Sequence, residues 1–298
     1  MDHSLVIIFN QDYSRNIEKL EYLYGHRFTN RIYLVPYHHS VLDVAYRNGK
    51  IPIYLLRILD RTILLGRKLF RKRSTHTISS KERVRYRNKI VWVGGSQIYF
   101  QDFVVQAAQR LLSLKTEWYW FIGDDAILNP KIAEESVGNW FPLSHHDAIL
   151  CTPIKGTDEW IARISGSPDI LLSNLERAAA KPGDAIRRRI PKEDSRQRND
   201  DAIVACCDFF GVRYDLLERL IRPLAGCTRH RVYVEAAIPN AILSYARSPC
   251  FFSNFYWTRN SGNWMEVADI FQRRPNTVFA HPIKLSGLDI VDIRTTLL

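Results

Sequence analysis

No stretch of this sequence reaches 18 uninterrupted apolar residues, which argues against a membrane-spanning helix. The opening residues, MDHSLVIIFN, hold neither a basic leader nor a small-residue cleavage site, so no secretory signal is expected. Cysteine is sparse: Cys151, Cys206, Cys207, Cys227 and Cys250 form no CxxC pair. An odd, scattered set fits reduced, buried thiols of a cytosolic protein better than a disulfide frame or a zinc centre. Neither GxxxxGKS nor GxxxxGKT occurs, which removes the P-loop enzymes. Internal repeats are also missing.

The 298 residues, 46% of them hydrophobic, suffice for one sizeable core. The expected organisation is a single domain over 1–298, in two halves that divide near residue 130. The net charge is +11, and its distribution is uneven. Between Arg57 and Lys89 stand twelve Lys and Arg against Asp60 and Glu82, so one segment carries +10 of the total. Residues 51–73 interleave Leu and Ile with Arg and Lys. They read either as an amphipathic helix whose basic face meets anionic lipid, or as a helix docked on its own domain with a solvated charged side. Residues 74–88 read as a loop.

Elsewhere the pattern alternates between strand and helix. LVIIFN (5–10) is a buried strand, RNIEKLEYLYG (15–25) a helix closed by Gly25, and RIYLVPY (31–37) a second strand. That order predicts a βαβ unit with parallel strands covered on both faces. KIVWVGG (89–95) is a further strand, followed by a helix over 96–115 with Ser96 as its cap. WYWFI (118–122) is strand-like, and a helix restarts after Pro130. HDAILCTPI (146–154) is another strand, and the charged, proline-containing stretch 181–201 reads as a flexible lid. Residues 202–221 read as strand, turn at Gly211 and helix, and 231–246 as a short strand running into a helix.

The chemistry concentrates in WYWFIGDDAILNP (118–130), where an apolar strand ends on Asp124 and Asp125. In open α/β sheets ligands sit outside the carboxyl ends of the strands. Two carboxylates about 4 Å apart repel by roughly 4 kcal/mol at an effective dielectric of 20. A divalent cation removes that penalty and bridges to a phosphate, and Mg²⁺ and Mn²⁺ favour such oxygen ligands. The alternative is a solvated turn, or acids offsetting a helix dipole.

Apolar strand, GDD, short apolar link and Pro130 together resemble the DxD region of GT-A glycosyltransferases, with Gly123 at the first position of the motif. VFAHPIKLS (278–286) resembles the late segment in which that family supplies a His to the metal and a basic residue to the diphosphate. With GSQIYFQDFVVQAA (95–108), the chain looks like small bacterial glycosyltransferases of surface-polysaccharide synthesis. The resemblance covers most of the chain, although 51–89 has no counterpart in it. It implies a GT-A-like, Rossmann-like α/β fold, a mostly parallel central sheet flanked by helices, with a basic helical insertion at 51–89. It makes 1–130 the nucleotide-binding half and 131–298 the acceptor half. It further implies Mn²⁺ or Mg²⁺ on Asp125 and His281. Asp124 and Lys284 then face the nucleotide-sugar, UDP-linked by family habit, and Asn10 at the end of the first strand faces the base.

Glu235, where a strand passes into a helix, is the candidate base for an acceptor hydroxyl in an inverting enzyme, with a first-turn helix acid of no catalytic duty as its other reading. Asp208 is a candidate on the acceptor side, with a structural strand-end acid as its other reading. Trp257 and Trp264 are candidates to stack on an acceptor sugar. The expected acceptor is a glycan or lipid-linked glycan, and the expected location is cytoplasmic, peripheral on a membrane that 51–89 would touch. Two rivals stand beside this reading. One is a metal-dependent nucleotidyl or phosphoryl transferase. The other is a non-enzymatic binder of anionic membranes or nucleic acid through 57–89, of which nucleic acid fits less well because the charge is confined to one stretch.

Overall fold

Apolar runs such as Leu5–Ile8 and Trp118–Ile122 become strands buried on both faces, and a layered α/β structure follows from them. The computed structural model describes residues 2–10, 14–36, 79–94, 99–153, 167–183, 202–258, 264–285, 289–291 and 293. Its first strands are β1 (His3–Ile8), β2 (Asn30–Pro36), β3 (Ile90–Val93), β4 (Trp118–Gly123) and β5 (Ile127–Leu128). Then come β6 (Ala148–Cys151), β7 (Phe209–Arg213), β8 (Pro249–Phe252), β9 (Phe255–Trp257) and β10 (Phe279–His281).

Seven strands make the central sheet in the order β3-β2-β1-β4-β7-β6-β8. All neighbours pair in parallel except at β7, which runs antiparallel to both β4 and β6. A smaller sheet, β5-β10-β9, lies beside it. The expected α/β class, a mostly parallel sheet flanked by helices, is what forms.

Side-chain alternation divides the core in two. Val6, Ile8, Tyr119 and Phe121 face one layer, which contains helices α3 (Gln101–Ser113), α5 (Pro168–Arg177), α6 (Tyr214–Arg229) and α7 (Val234–Tyr245). Leu5, Ile7, Trp118, Trp120 and Ile122 face the other, with α1 (Ile17–Tyr24), α8 (Trp264–Arg273) and the small sheet. The short helices α2 (Ser80–Arg85) and α4 (Val137–Trp140) complete the described set. Ser79 caps α2 in a capping box with Glu82. Among the described residues, no helix is long and apolar enough to cross a membrane.

Several boundaries differ from the sequence reading. Gly211 is not a turn: it lies inside β7, opposite Trp120, and a Cβ there would stand 2.5 Å from the Trp120 ring. The strand therefore needs glycine because the indole crosses it. Residues 202–207 stay outside the sheet apart from one bridge, Pro153 to Ala205. No strand precedes α7, because Tyr233 already serves as its N-cap. The helix expected after Pro130 is a 3₁₀ turn, Glu134–Ser136, leading into α4. Helix α3 begins after Phe100, and the cap expected at Ser96 falls outside the described residues. So do residues 51–78 of the basic insertion at 51–89, and the lid at 181–201 beyond residue 183.

Candidate metal centre and its surroundings

Four strand ends converge on a single point. β1 and β4 run side by side, Ile8 against Gly123, so their carboxyl ends share one rim of the sheet. β7 runs the other way, which brings its beginning to that same rim. Gly123 N–H donates to the Asp208 carbonyl at 3.0 Å, just before β7 starts. From the small sheet, β10 delivers His281 at its end, and the Ile283 N–H donates to the Asp125 carbonyl at 2.6 Å.

The outcome is a cluster of Asp125, Asp208 and His281, whose ligand atoms all lie within 4.8 Å of one another. His281 stands between the two acids, with Nδ1 3.4 Å from Asp125 Oδ1 and Nε2 3.4 Å from Asp208 Oδ2. Asp125 Oδ1 and His281 Nδ1 are both buried, and the contact between them lacks the geometry of a full hydrogen bond. Unpaired polar atoms in a buried place are costly. Two carboxylates and one imidazole make an oxygen-rich donor set with one borderline nitrogen, suited to Mn²⁺ more than to Mg²⁺. The residues present thus fit a divalent cation.

Gly123 belongs to this geometry. A Cβ at that position would lie 3.0 Å from Asp125 Oδ1 and 3.7 Å from an Asp208 oxygen. Glycine at the head of GDD keeps the space between the two carboxylates open.

Asp124 turns the other way. It is buried, and its Oδ1 accepts the Asn10 N–H at 3.0 Å, tying the tip of β1 to the end of β4. Burial, then the neighbouring Asp125 charge, raises its pKa well above the usual carboxylate range. Asp124 is therefore outside the three-residue cluster, and Asn10 sits at the strand tip it anchors.

Glu235 lies in the first turn of α7, and its Oε2 is a buried oxygen without a partner. Burial, and next the charge of Asp208, lifts its pKa to about 7. The backbone explains how it comes near the cluster. Pro239, four residues on, has no N–H to give to the Glu235 carbonyl. That carbonyl accepts the Ala205 N–H instead, at 3.0 Å. Asn240 adds two bonds to Ile203, accepting its N–H at 3.2 Å and donating to its carbonyl at 2.6 Å. The segment that carries Asp208 is thereby fastened along the start of α7.

Burial raises the Asp208 pKa. For His281, burial pulls downward, but contact with Asp125 and the charge of Asp208 outweigh it and the net shift is upward. Trp257, 53% exposed, stands edge-on to His281 with ring centroids 4.9 Å apart. Lys284 is exposed, next to the Ile283 that is bonded to Asp125. Trp264 is half-buried and packs on the second core layer, while Glu266, two residues on, accepts from the Tyr256 hydroxyl.

The structure brings together Asp125, His281, Asp208 and Glu235, with Trp257 and Lys284 at the edge. Asp208, which the sequence offers as an acceptor-side or strand-end acid, is a member of the cluster. CCDFF mirrors FIGDD, with an acid at the opposite end of an aromatic run, so an antiparallel strand sets both acids on one rim. That mirror was the available signal.

No protein-family model matches this chain, and no curated protein does. Among solved structures, the chain is similar to a bifunctional glycosyltransferase, WbbM, in its apo form. The identity is 12% and the TM-score 0.37, over 94% of this chain and 45% of that one. This chain thus spans less than half the length of that protein, and likeness at this level transfers neither activity nor substrate.

Proposed function

We propose that this chain is a metal-assisted glycosyltransferase of GT-A type. In this reading it moves a sugar from a nucleoside-diphosphate sugar, UDP-linked by family resemblance, to a glycan or lipid-linked acceptor in surface-polysaccharide synthesis. The observation that carries the reading is the convergence of Asp125, Asp208 and His281 within 4.8 Å at the carboxyl rim of the sheet, where Glu235 keeps a buried, unpaired oxygen. A proton acceptor and a cation-binding set at one point suit glycosyl transfer from a diphosphate with inversion.

Asp125, Asp208 and His281 would hold Mn²⁺ or Mg²⁺. When bound, the cation supplies positive charge where the departing diphosphate gains negative charge. Lys284, on the exposed side of that segment, adds a point charge for the same phosphates. Asp124 holds the Asn10 backbone, so the tip of β1 is fixed where the nucleotide would lie. Glu235 Oε2 takes the proton of the acceptor hydroxyl in transfer with inversion. A side chain that ionises at about 7 is matched to that task near neutral pH. The exposed face of Trp257 offers a stacking surface to an acceptor sugar. A cytoplasmic, membrane-peripheral location belongs to the same proposal, on the strength of the basic composition of 57–89.

A screen of nucleotide-sugars with Mn²⁺, scored by saturable binding and donor hydrolysis, tests the reading. One nucleoside-diphosphate sugar is expected to bind and to be cleaved only with the metal, and Asp125→Ala is expected to abolish that turnover in a folded protein. Full turnover in that variant would sink the reading. Release of a sugar 1-phosphate, from cleavage between the two phosphates, would replace it with nucleotidyl transfer.

A further inference from the structure

We propose that Cys206 is a positioning residue of the candidate metal centre, its thiol holding the Asp208 carboxylate in place toward His281. The proposal deepens the metal-centre reading and rests on it. Cys206 Sγ lies 3.0 Å from Asp208 Oδ2, and the same oxygen lies 3.4 Å from His281 Nε2. An ionised carboxylate only accepts, so the proton in the sulfur contact belongs to the thiol. One oxygen of Asp208 is thus addressed by a thiol and by the imidazole.

The thiol itself has little freedom. Cys206 is 2% exposed and its sulfur is in contact with the Cys151 thiol. The residue before it is fixed through the Ala205 N–H to Glu235 and through the bridge to Pro153. Asn240 grips Ile203 on both sides of its peptide unit. The chain around Cys206 is therefore anchored independently of the metal centre, which is what an orienting group requires. Cys207 provides the contrast. Its thiol points to the carbonyls of Ala205 and Val234, at 3.4 and 3.6 Å, so of two adjacent cysteines one serves the core and one addresses the site. Partners of metal ligands fix ligand orientation and tune affinity.

The test reads metal binding without turnover. Metal-free full-length protein is titrated with Mn²⁺ and the free ion is followed by its paramagnetic resonance signal. Cys206→Ala is expected to weaken Mn²⁺ binding by about 10-fold or more, the usual effect of losing such a partner. Cys206→Ser, which keeps a donor, is expected to recover most of that loss. Cys206→Val repeats the deletion with a smaller cavity, should the alanine variant fold poorly. Cys227→Ala, in the core of α6, is the control: it lowers the melting temperature and leaves Mn²⁺ affinity unchanged. If the wild type binds Mn²⁺ and both apolar variants bind it equally well, this inference falls and the glycosyltransferase reading stands. If Ser and Ala lose affinity alike, in step with their melting temperatures, the role is structural and the inference falls too. A wild-type chain that binds no Mn²⁺ overturns the metal-centre reading and takes this inference with it.

Discussion

Asp125 Oδ1 and His281 Nδ1 stand 3.4 Å apart, both buried, and no hydrogen bond joins them. A third group that met both atoms would remove the cost of leaving them unbonded. If that group is a dication, Asp125→Asn keeps the shape and removes the charge. Turnover is then expected to fall by about 10²–10³-fold, the scale of losing one charge-stabilising group. Mn²⁺ titration should show the affinity falling in parallel, with the melting temperature unchanged or raised.

Glu235→Gln separates chemistry from binding. The amide cannot take a proton, so kcat should drop by about 10²–10⁴-fold while the donor Kd holds. In the wild type the acidic limb of kcat/KM should follow Glu235, because below about 7 the side chain keeps its proton and cannot accept another. Bound Mn²⁺ favours the carboxylate and moves that limb to lower pH. A pH–rate profile for both proteins, with equilibrium binding of the donor, checks all three expectations.

The metal-free protein should lose stability as pH rises. Glu235 ionises at 4.5 in a model chain and at about 7 in the fold. Between those values the unfolded chain has released a proton that the folded chain still holds, so stability falls with pH. The contribution is complete below 4.5 and lost through about 7, and amounts to about 3 kcal/mol for this group. Asp208, Asp124 and His281 shift upward as well and act in the same direction. Mn²⁺ competes with those protons, so it should raise the melting temperature more at about pH 8 than at about pH 5. Calorimetry of wild type and Glu235→Gln, with and without Mn²⁺, measures the slopes; a wild-type slope that the variant leaves untouched would remove Glu235 as its source.

Two glycines should respond oppositely to alanine. At Gly123 the new Cβ meets the flexible end of Asp125 at 3.0 Å, so the fold should tolerate it while the displaced carboxylate weakens Mn²⁺ binding. At Gly211 it meets the Trp120 ring at 2.5 Å. That ring is stacked between Trp118 and Phe209 and cannot yield, so overpacking should cost about 1–3 kcal/mol or more. Melting curves and Mn²⁺ titrations of the two variants should show the effects exchanged.

Asn240→Ala should act at a distance. Asn240 is fully buried and holds both backbone polar groups of Ile203, so its loss should cost about 1–3 kcal/mol for each group left unpaired. Because that segment leads to Asp208, Mn²⁺ affinity should fall with stability, unlike in Cys227→Ala.

The parts of this molecule that the sequence announces are those with a long signal. β1, β2 and β4 contain unbroken apolar runs, Leu5–Ile8, Ile32–Val35 and Trp118–Ile122, as doubly covered strands do, and α1 and α3 carry a helical period. The small sheet announces nothing, since strands of two or three residues have no period to read. Gly211 reads as a turn, which ends the strand before β7 does; the cause of that glycine, the Trp120 ring across the sheet, is a contact between distant residues. Asp125, His281 and Glu235 were legible as chemistry because each acid or imidazole stands where an apolar segment ends or a helix begins. Asp208 was legible as an acid but not as a neighbour, since nothing local states that β7 reverses direction.

That reversal has a practical consequence for anyone who cuts or splices this gene. Asp125 comes from the first half of the polypeptide, Asp208 from a reversed strand in the second, and His281 from a separate small sheet. A fragment that stops near residue 200 would retain one of the three cluster residues, and a chimera that borrows its second half from another protein would keep only one wall of the cluster. Any cation affinity should therefore disappear as a unit, which makes it a sensitive reporter of whether an engineered version has assembled correctly.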